Sequence, residues 1–341
     1  MPMAELYADA LMAGVAATMP PLGLEDVPEL MSRVDRKYIV TSSTMARLAG
    51  ELGDRFLALQ IGGRRQFRYT STYFDTPDLL TYRQHRQDRR RRFKLRTRTY
   101  LDGGGQWLEL KLSGARGSTD KHRIPYDDAP SQTLTPQALD FVHDTLLSEL
   151  HLIAPERLEP VLATDYRRVT LIDRSGGARL TCDTGLICRD GRGSTPARGD
   201  MVLLESKSAG GKALIDRLLR EMGVRPVSVS KYCLAVAALR DLPANRWHPV
   251  LHRYLAHRPS PRRPASHGHA PGRTAGWGGT GGWGGTGGWG GTGGWRGTGG
   301  WSGPGGWSGN GGWGGTGGWS GAGGRGDHGE PTGARGSQWR R

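Results

Sequence analysis

Between residues 33 and 208 the chain is dominated by short runs in which apolar and polar residues alternate, the period of strands buried on one face. Val34, Arg36, Tyr38 and Val40 alternate with Asp35, Lys37 and Ile39. The spacing then turns helical: Met45, Leu48, Ala49 and Leu52 share a face, with a cap near Ser42 or Ser43 and Gly53 as the stop. Strands are predicted over 66–75 and 92–100, the second with Phe93, Leu95, Thr97 and Thr99 on one face and Lys94, Arg96, Arg98 and Tyr100 on the other. A Gly103-Gly104-Gly105 turn leads into 106–112, where Leu108, Leu110 and Leu112 oppose Trp107, Glu109 and Lys111, which predicts a hairpin. Thr135-Pro136 opens a helix carrying Ala138, Phe141, Val142, Leu146 and Leu147, with Pro155 beyond its end. The second half predicts strands at 164–173, 178–183 and 201–208, then helices near 213–222 and 230–240. The expected fold class is α+β, mostly antiparallel sheet with a few helices.

The charges fall where the alternation puts them on one face. Lys94/Arg96/Arg98, Glu109/Lys111, Lys121/Arg123, Arg179/Asp183 and Glu205/Lys207 each stand opposite an apolar face. Two readings compete. The charges face solvent on an ordinary antiparallel sheet, or the sheet curls into a barrel with a charged interior and its apolar faces turned outward under helices. Arginine and lysine with a few glutamates would suit phosphates and a bridging divalent metal. Lysine is scarce, seven against 40 arginines, yet Lys37, Lys94, Lys111, Lys121, Lys207 and Lys231 lie in or beside strand-like or motif-like runs; Lys212 reads as plain surface.

The ordered set resembles a known family. The runs are Arg33-Val-Asp-Arg-Lys-Tyr38, Tyr73-Phe-Asp-Thr-Pro-Asp78 with Tyr82, Lys94-Leu-Arg-Thr-Arg-Thr-Tyr100, Leu108-Glu-Leu-Lys111, Lys121 with Arg123, Tyr166-Arg-Arg168, Arg179 to Asp183, Leu204-Glu-Ser-Lys207 and Ser230-Lys-Tyr232. In that order, over residues 33–232, they resemble the polyphosphate polymerase domain of the vacuolar transporter chaperone (VTC) family, within the CYTH-like triphosphate tunnel metalloenzymes. The resemblance implies an eight-stranded antiparallel tunnel in which Lys37, Arg96, Arg98, Lys111, Arg168, Arg179 and Lys231 act on phosphates and Glu205 holds Mn²⁺ or Mg²⁺. Lys94, Lys121, Arg123 and Lys207 are the accompanying basic positions, counted as substrate-binding. The implied reaction is transfer of the γ-phosphoryl of ATP onto inorganic polyphosphate. The alternatives are a tunnel triphosphatase and a non-catalytic polyanion binder. Asp35-Arg36-Lys37 stands where the superfamily's triphosphatases and cyclases carry E-x-E-x-K, which favours the polymerase. The family's phosphate-sensing helical domain and membrane helices are not legible in the chain, so coupling of synthesis to transport is not expected of it.

Composition divides the chain. Of 55 glycines, 30 lie between Gly276 and Gly326, where tryptophan recurs every six residues from Trp277 to Trp319. Such a segment buries too little apolar area to offset its ordering entropy, so a disordered tail is expected there. The expected organisation is an N-terminal segment at 1–29, a tunnel domain at 30–242, a basic linker at 243–275 and the Gly/Trp tail at 276–341. From residue 257 onward nine arginines face two acids, within a chain of net charge +15, so the tail is expected to touch polyanions non-specifically. No stretch approaches the roughly 18 apolar residues of a membrane span, and no basic residue precedes Arg33; a cytoplasmic protein without membrane insertion is expected. Three cysteines without C-x-x-C spacing argue against a disulfide framework or a zinc site. Arg89-Arg90-Arg91-Arg92 reads as a solvated loop, His122 as surface, and Asp75 and Asp78 as turn formers.

Overall fold

The structure is a computed structural model that describes residues 3–28, 30, 33–113, 119–211 and 213–256, except the side chains of 3–6 and 119. The hexad-repeat tail and Lys212 lie outside the described residues, as does the linker beyond Ala256.

The elements in chain order are α1 (Met3–Thr18), β1 (Pro21–Leu22), β2 (Val34–Thr41), α2 (Ser42–Leu52), β3 (Phe56–Leu59), β4 (Gln66–Asp75) and α3 (Leu80–Arg86). The middle of the chain gives β5 (Arg92–Tyr100), β6 (Gly105–Ser113), β7 (Thr119–Pro125) and α4 (Pro136–Leu150). Then follow β8 (Glu159–Asp173), β9 (Ala178–Asp190), β10 (Gly193–Pro196), β11 (Met201–Ser208), α5 (Leu214–Glu221), α6 (Lys231–Leu239) and α7 (His248–Tyr254). The helix starts fall close to their sequence signals, although α2 is capped by Thr41 and not by Ser42 or Ser43, which lie in its first turn. Thr41 caps α2 by accepting from the Thr44 amide, Thr135 caps α4 ahead of Pro136, and Ser230 caps α6.

Eight strands hydrogen-bond in the order β2-β11-β9-β8-β4-β5-β6-β7, with β1, β3 and β10 pairing off this path. Every neighbouring pair on the path is antiparallel. The sheet curls, and no ladder joins β7 to β2 among the described residues, so the curl stays open along that seam.

Alternation decides what each face carries. On the convex face Tyr38, Val40, Leu180, Cys182, Val202 and Leu204 pack with Met12 of α1, Met45 and Leu48 of α2, and Ile215 and Leu219 of α5. Farther along that face, Phe93, Leu95, Leu108 and Leu110 pack under Ala138, Val142 and Leu146 of α4. The other face carries the charges and, beside them, an apolar cluster in which Tyr69, Tyr73, Tyr166 and Leu203 meet α6 and α7. A bulge keeps β9 in phase with this division. The β8–β9 register shifts between Asp165 and Arg167, and Gly185 takes φ +59 there, so that both Asp183 and Leu186 can turn inward.

Two boundaries differ from the sequence expectation. The N-terminal segment holds α1, whose Ala8, Met12, Val15 and Ala16 are buried against the sheet. The tunnel domain does not stop at 242, because Trp247, Leu251, Tyr254 and Leu255 are buried in the same core as α6. Helix α1 is 16 residues long but buries mostly small side chains, and α7 is only seven residues long; neither has the alternation that made the strands conspicuous.

Candidate functional site

The charged face of the curl encloses a cavity of about 230 Å³ lined by ten lysines and arginines and three carboxylates, Asp35, Glu109 and Glu205. Ten of the twelve expected site residues meet there: Lys37 from β2, Lys94, Arg96 and Arg98 from β5, Lys111 from β6, Lys121 from β7, Arg168 from β8, Glu205 and Lys207 from β11, and Lys231 at the start of α6. Strand register explains the assembly. Lys94, Lys111 and Lys121 form one rung across β5–β6–β7, while Glu205 stands opposite Lys37 on β2 and Lys207 opposite Asp35. Two expected residues do not line the cavity. The Arg123 guanidinium stacks on the Trp107 ring, 4.3 Å from its centroid, and Arg179 donates to the Pro28 carbonyl at 2.8 Å. The even residues of β2 point away: Arg36 pairs with Asp216 at 2.7 Å, on the side covered by α5.

Three carboxylates, the buried Glu109 and Asp183 and the partly buried Glu205, organise the cations. Glu205 meets the Lys37 ammonium at 2.8 Å and that of Lys207 at 3.6 Å. Burial opposes its ionisation, but Lys207 and Lys37 outweigh that and hold the carboxyl well below the usual range. Glu109 accepts from Arg96 Nε at 2.8 Å, with Arg98 and Lys121 each at 3.7 Å. Burial opposes its charge too, and Arg98, Arg96 and Lys121 more than compensate. Asp183 receives both nitrogens of Arg168, Nε at 2.6 Å and Nη2 at 2.8 Å, together with the Lys231 ammonium. Those two cations keep Asp183 ionised down to about 2 against the cost of burial.

Two members of the lysine rung have no such counter-ion. Lys94 and Lys111 face each other across β5 and β6 without an ion pair to any described carboxylate. Burial and neighbouring cations depress Lys94 to about 7 and Lys111 to about 8. The cavity thus carries a large excess of positive charge, with its least compensated part around these lysines. An anion entering it replaces lost water with charge-assisted hydrogen bonds.

Sequence reasoning passed over several contributors. Glu109 and Asp183 were visible as charges on the right faces but without a role, although alternation sets each beside an expected cation. Tyr166, two residues before Arg168, has a buried hydroxyl without a hydrogen-bond partner. The Arg168 and Lys231 cations lie 5.4 and 4.3 Å from its ring centroid. Tyr73 accepts from Arg96 at 3.0 Å. A wider cleft of about 460 Å³ is lined by residues of α1, β4, β8 and β9. Its arginines are already neutralised, Arg167 by Asp9 at 2.5 Å and Arg68 by Asp102 at 2.9 Å. The charge excess is in the narrower cavity.

For a metal, Glu205 is one carboxylate engaged by two lysines, and no group of three His, Cys, Asp or Glu side chains suited to an ion occurs among the described residues. That donor set fits a hard divalent cation only when substrate phosphate oxygens complete the shell, the usual situation for Mg²⁺ at phosphoryl-transfer sites.

The family model for the VTC domain matches residues 32–240, well over half of the chain. The chain belongs to the VTC domain family. No curated protein sequence matches it. Among solved structures, an adenylyl cyclase candidate from Hippeastrum, described as revealing a dominant triphosphatase activity, is 16% identical. The match covers 62% of this chain and 99% of that one, with a TM-score of 0.41. An adenylate cyclase candidate from Vibrio parahaemolyticus is 13% identical over 59% of this chain and 95% of its own, with a TM-score of 0.35. The S. pombe Pct1 RNA triphosphatase is 9% identical over 65% and 85%, with a TM-score of 0.23. Similarities this low carry no argument about function. No described helix is long and apolar enough to cross a membrane.

Proposed function

We propose that this VTC-domain protein transfers the γ-phosphoryl group of ATP onto the end of an inorganic polyphosphate chain. The observation that carries the reading is the cavity's composition, ten cations against three carboxylates, two of which, Glu109 and Glu205, are held ionised between basic side chains. Membership of the VTC domain family supports it. No protein nucleophile is required. A terminal phosphate oxygen of the acceptor attacks the γ-phosphorus in line; the new P–O bond forms as the bond to the β,γ-bridging oxygen breaks, and ADP leaves with that electron pair.

The chain's own residues hold the reactants. Arg96 and Arg98 point the same way two residues apart on β5, about 7 Å along a strand, a spacing suited to successive phosphates. Arg168 and Lys231 present a second basic wall, pinned by Asp183. Preset donors of this kind lower the barrier by fixing the reacting groups and by meeting charge where it develops. Glu205 would hold Mn²⁺ or Mg²⁺, which when bound supplies charge neutralisation on the transferring group and the departing diphosphate. The purified full-length chain, given ATP, a short polyphosphate primer and either ion, should yield ADP and long polyphosphate. ADP with orthophosphate as the sole fate of the γ-phosphoryl group would instead make it a triphosphatase.

A further inference from the structure

Two motifs far apart in sequence, Tyr73-Phe-Asp-Thr-Pro and Ser230-Lys-Tyr, meet in one buried hydrogen bond: the Tyr232 hydroxyl donates to Asp75 Oδ2. Asp75 is fully buried and also accepts from the Thr76 and Thr81 amides, each at 2.8 Å, the Thr81 hydroxyl at 2.8 Å and the Tyr82 amide at 3.0 Å. It therefore ties the end of β4 and the start of α3 to the first turn of α6. Burial and the Asp75 charge push the Tyr232 phenol well above its ordinary range, so it remains a donor.

What lies on either side of this bond is tunnel machinery. The neighbouring Lys231 reaches Asp183 and sits over Tyr166. The Tyr232 ring stacks on Tyr73 at 5.3 Å between centroids, and the Tyr73 hydroxyl accepts from Arg96. Beyond Tyr232 the next directional side-chain anchor is at the far end of α6, where its C-cap Arg240 meets Asp190 at 3.1 Å. Residues Cys233 to Ala238 are all buried, and three of them are alanine. Apolar packing is non-directional, and side chains this small interlock weakly, so the helix's rotation and depth need a polar fix.

We propose that Asp75 is a positioning residue that acts through Tyr232 to set Lys231 in the tunnel. The proposal rests on the tunnel being a phosphate site, but one arm of its test does not. Tyr232→Phe is the suitable variant, because four donors still satisfy Asp75 and the ring still stacks. Asp75→Asn would set an amide NH₂ against those donors.

In the ligand-free protein, Tyr166 ionises below the usual tyrosine range: burial opposes this, but Arg98, Arg168 and Lys231 overcome it. An ultraviolet titration of phenolate absorbance, assigned by its loss in Tyr166→Phe, should move to higher pH in both Tyr232→Phe and Lys231→Met. Calorimetry with tripolyphosphate should show at least tenfold weaker binding by Tyr232→Phe, with the melting temperature held within a few degrees. The losses should overlap, so that adding Tyr232→Phe to Lys231→Met costs no more than about twofold further. An unmoved Tyr166 titration, fully additive losses, or a Tyr232→Phe chain that fails to fold would each overturn the proposal and leave a folding contact. If the wild-type chain binds no tripolyphosphate, the phosphate-site reading fails, and the Tyr166 titration alone decides the positioning role.

Discussion

Glu205→Gln separates the roles assigned to the cavity's carboxylates, because it removes a charge at nearly constant shape. Glu205 meets Lys37 at 2.8 Å and Lys207 at 3.6 Å, and the carboxylate is largely buried. Each pair at that range is worth roughly 4–6 kcal/mol of gross attraction at an effective dielectric of about 20. Most of that offsets desolvation, and stripping one partner from a buried pair typically costs about 3–5 kcal/mol. The lysines can escape part of the cost by releasing protons, so a net loss of about 2–3 kcal/mol is expected. In a domain of this size that lowers the melting temperature by about 5–10 °C. Phosphate oxygens can replace the lost carboxylate, so tripolyphosphate should restore most of the melting temperature and bind at least as tightly as to wild type in chelator. Turnover should behave oppositely, falling at least about 100-fold, or roughly 2.7 kcal/mol of barrier. Calorimetry, thermal unfolding and steady-state rates at saturating ion provide the check. A lowered melting temperature with near-wild-type turnover would reduce Glu205 to a counter-ion and end the metal assignment.

Other variants divide the cavity further. Arg98→Ala should weaken tripolyphosphate binding at least tenfold with little change in melting temperature, since its nitrogen stands 3.7 Å from Glu109; Arg96→Ala should weaken binding and also destabilise, because it takes the closest partner from that buried carboxylate. Calorimetry and thermal unfolding of the two variants separate these outcomes, and equal, unperturbed binding would exclude both arginines from the site. Burial and like charge lower Lys94 to about 7 and Lys111 to about 8, so above these values the free amines are neutral and anion binding must take up protons. Affinity for sulfate, whose charge is constant in this range, should therefore fall between pH 6.5 and 9, and Lys94→Arg should flatten the lower part of that decline; a flat wild-type profile would refute the assignment. A chain ending after Ala256 should fold and keep turnover within about tenfold of full length, because α7 and the Ala197–Leu255 bridge are retained. Insolubility of that chain, or a larger loss with saturating small substrates, would show that the tail serves the domain.

Period-two alternation is a local property, which is why so much of the fold was legible. It fixed Lys94, Arg96 and Arg98 to one face of β5 and Phe93 and Leu95 to the other, and the structure buries Phe93 and Leu95 while turning the cations into the cavity. Pairing between distant segments is not local. Nothing in the alternation says that Asp183 will neutralise both Arg168 and Lys231, or that Asp75 will accept from Tyr232. Arg123 shows the same limit from the other side. It has the right parity on β7, but β7 ends the hydrogen-bonded path, and the adjacent Trp107 ring offers its guanidinium a face to stack on. Helix α1 and the short helices α3 and α7 are not legible in the sequence because their burial is decided by tertiary contacts, Met12 against the sheet and Trp247 beside Tyr82 among them.

The most direct measurement is the fate of the γ-phosphorus. With the full-length chain, ATP, a polyphosphate primer and Mn²⁺ or Mg²⁺, a phosphorus NMR time course should show the γ resonance disappearing as internal polyphosphate resonances grow, with ADP formed in equal amount. Loss of the γ resonance into orthophosphate alone, or an unchanged ATP spectrum under these conditions, would contradict the account.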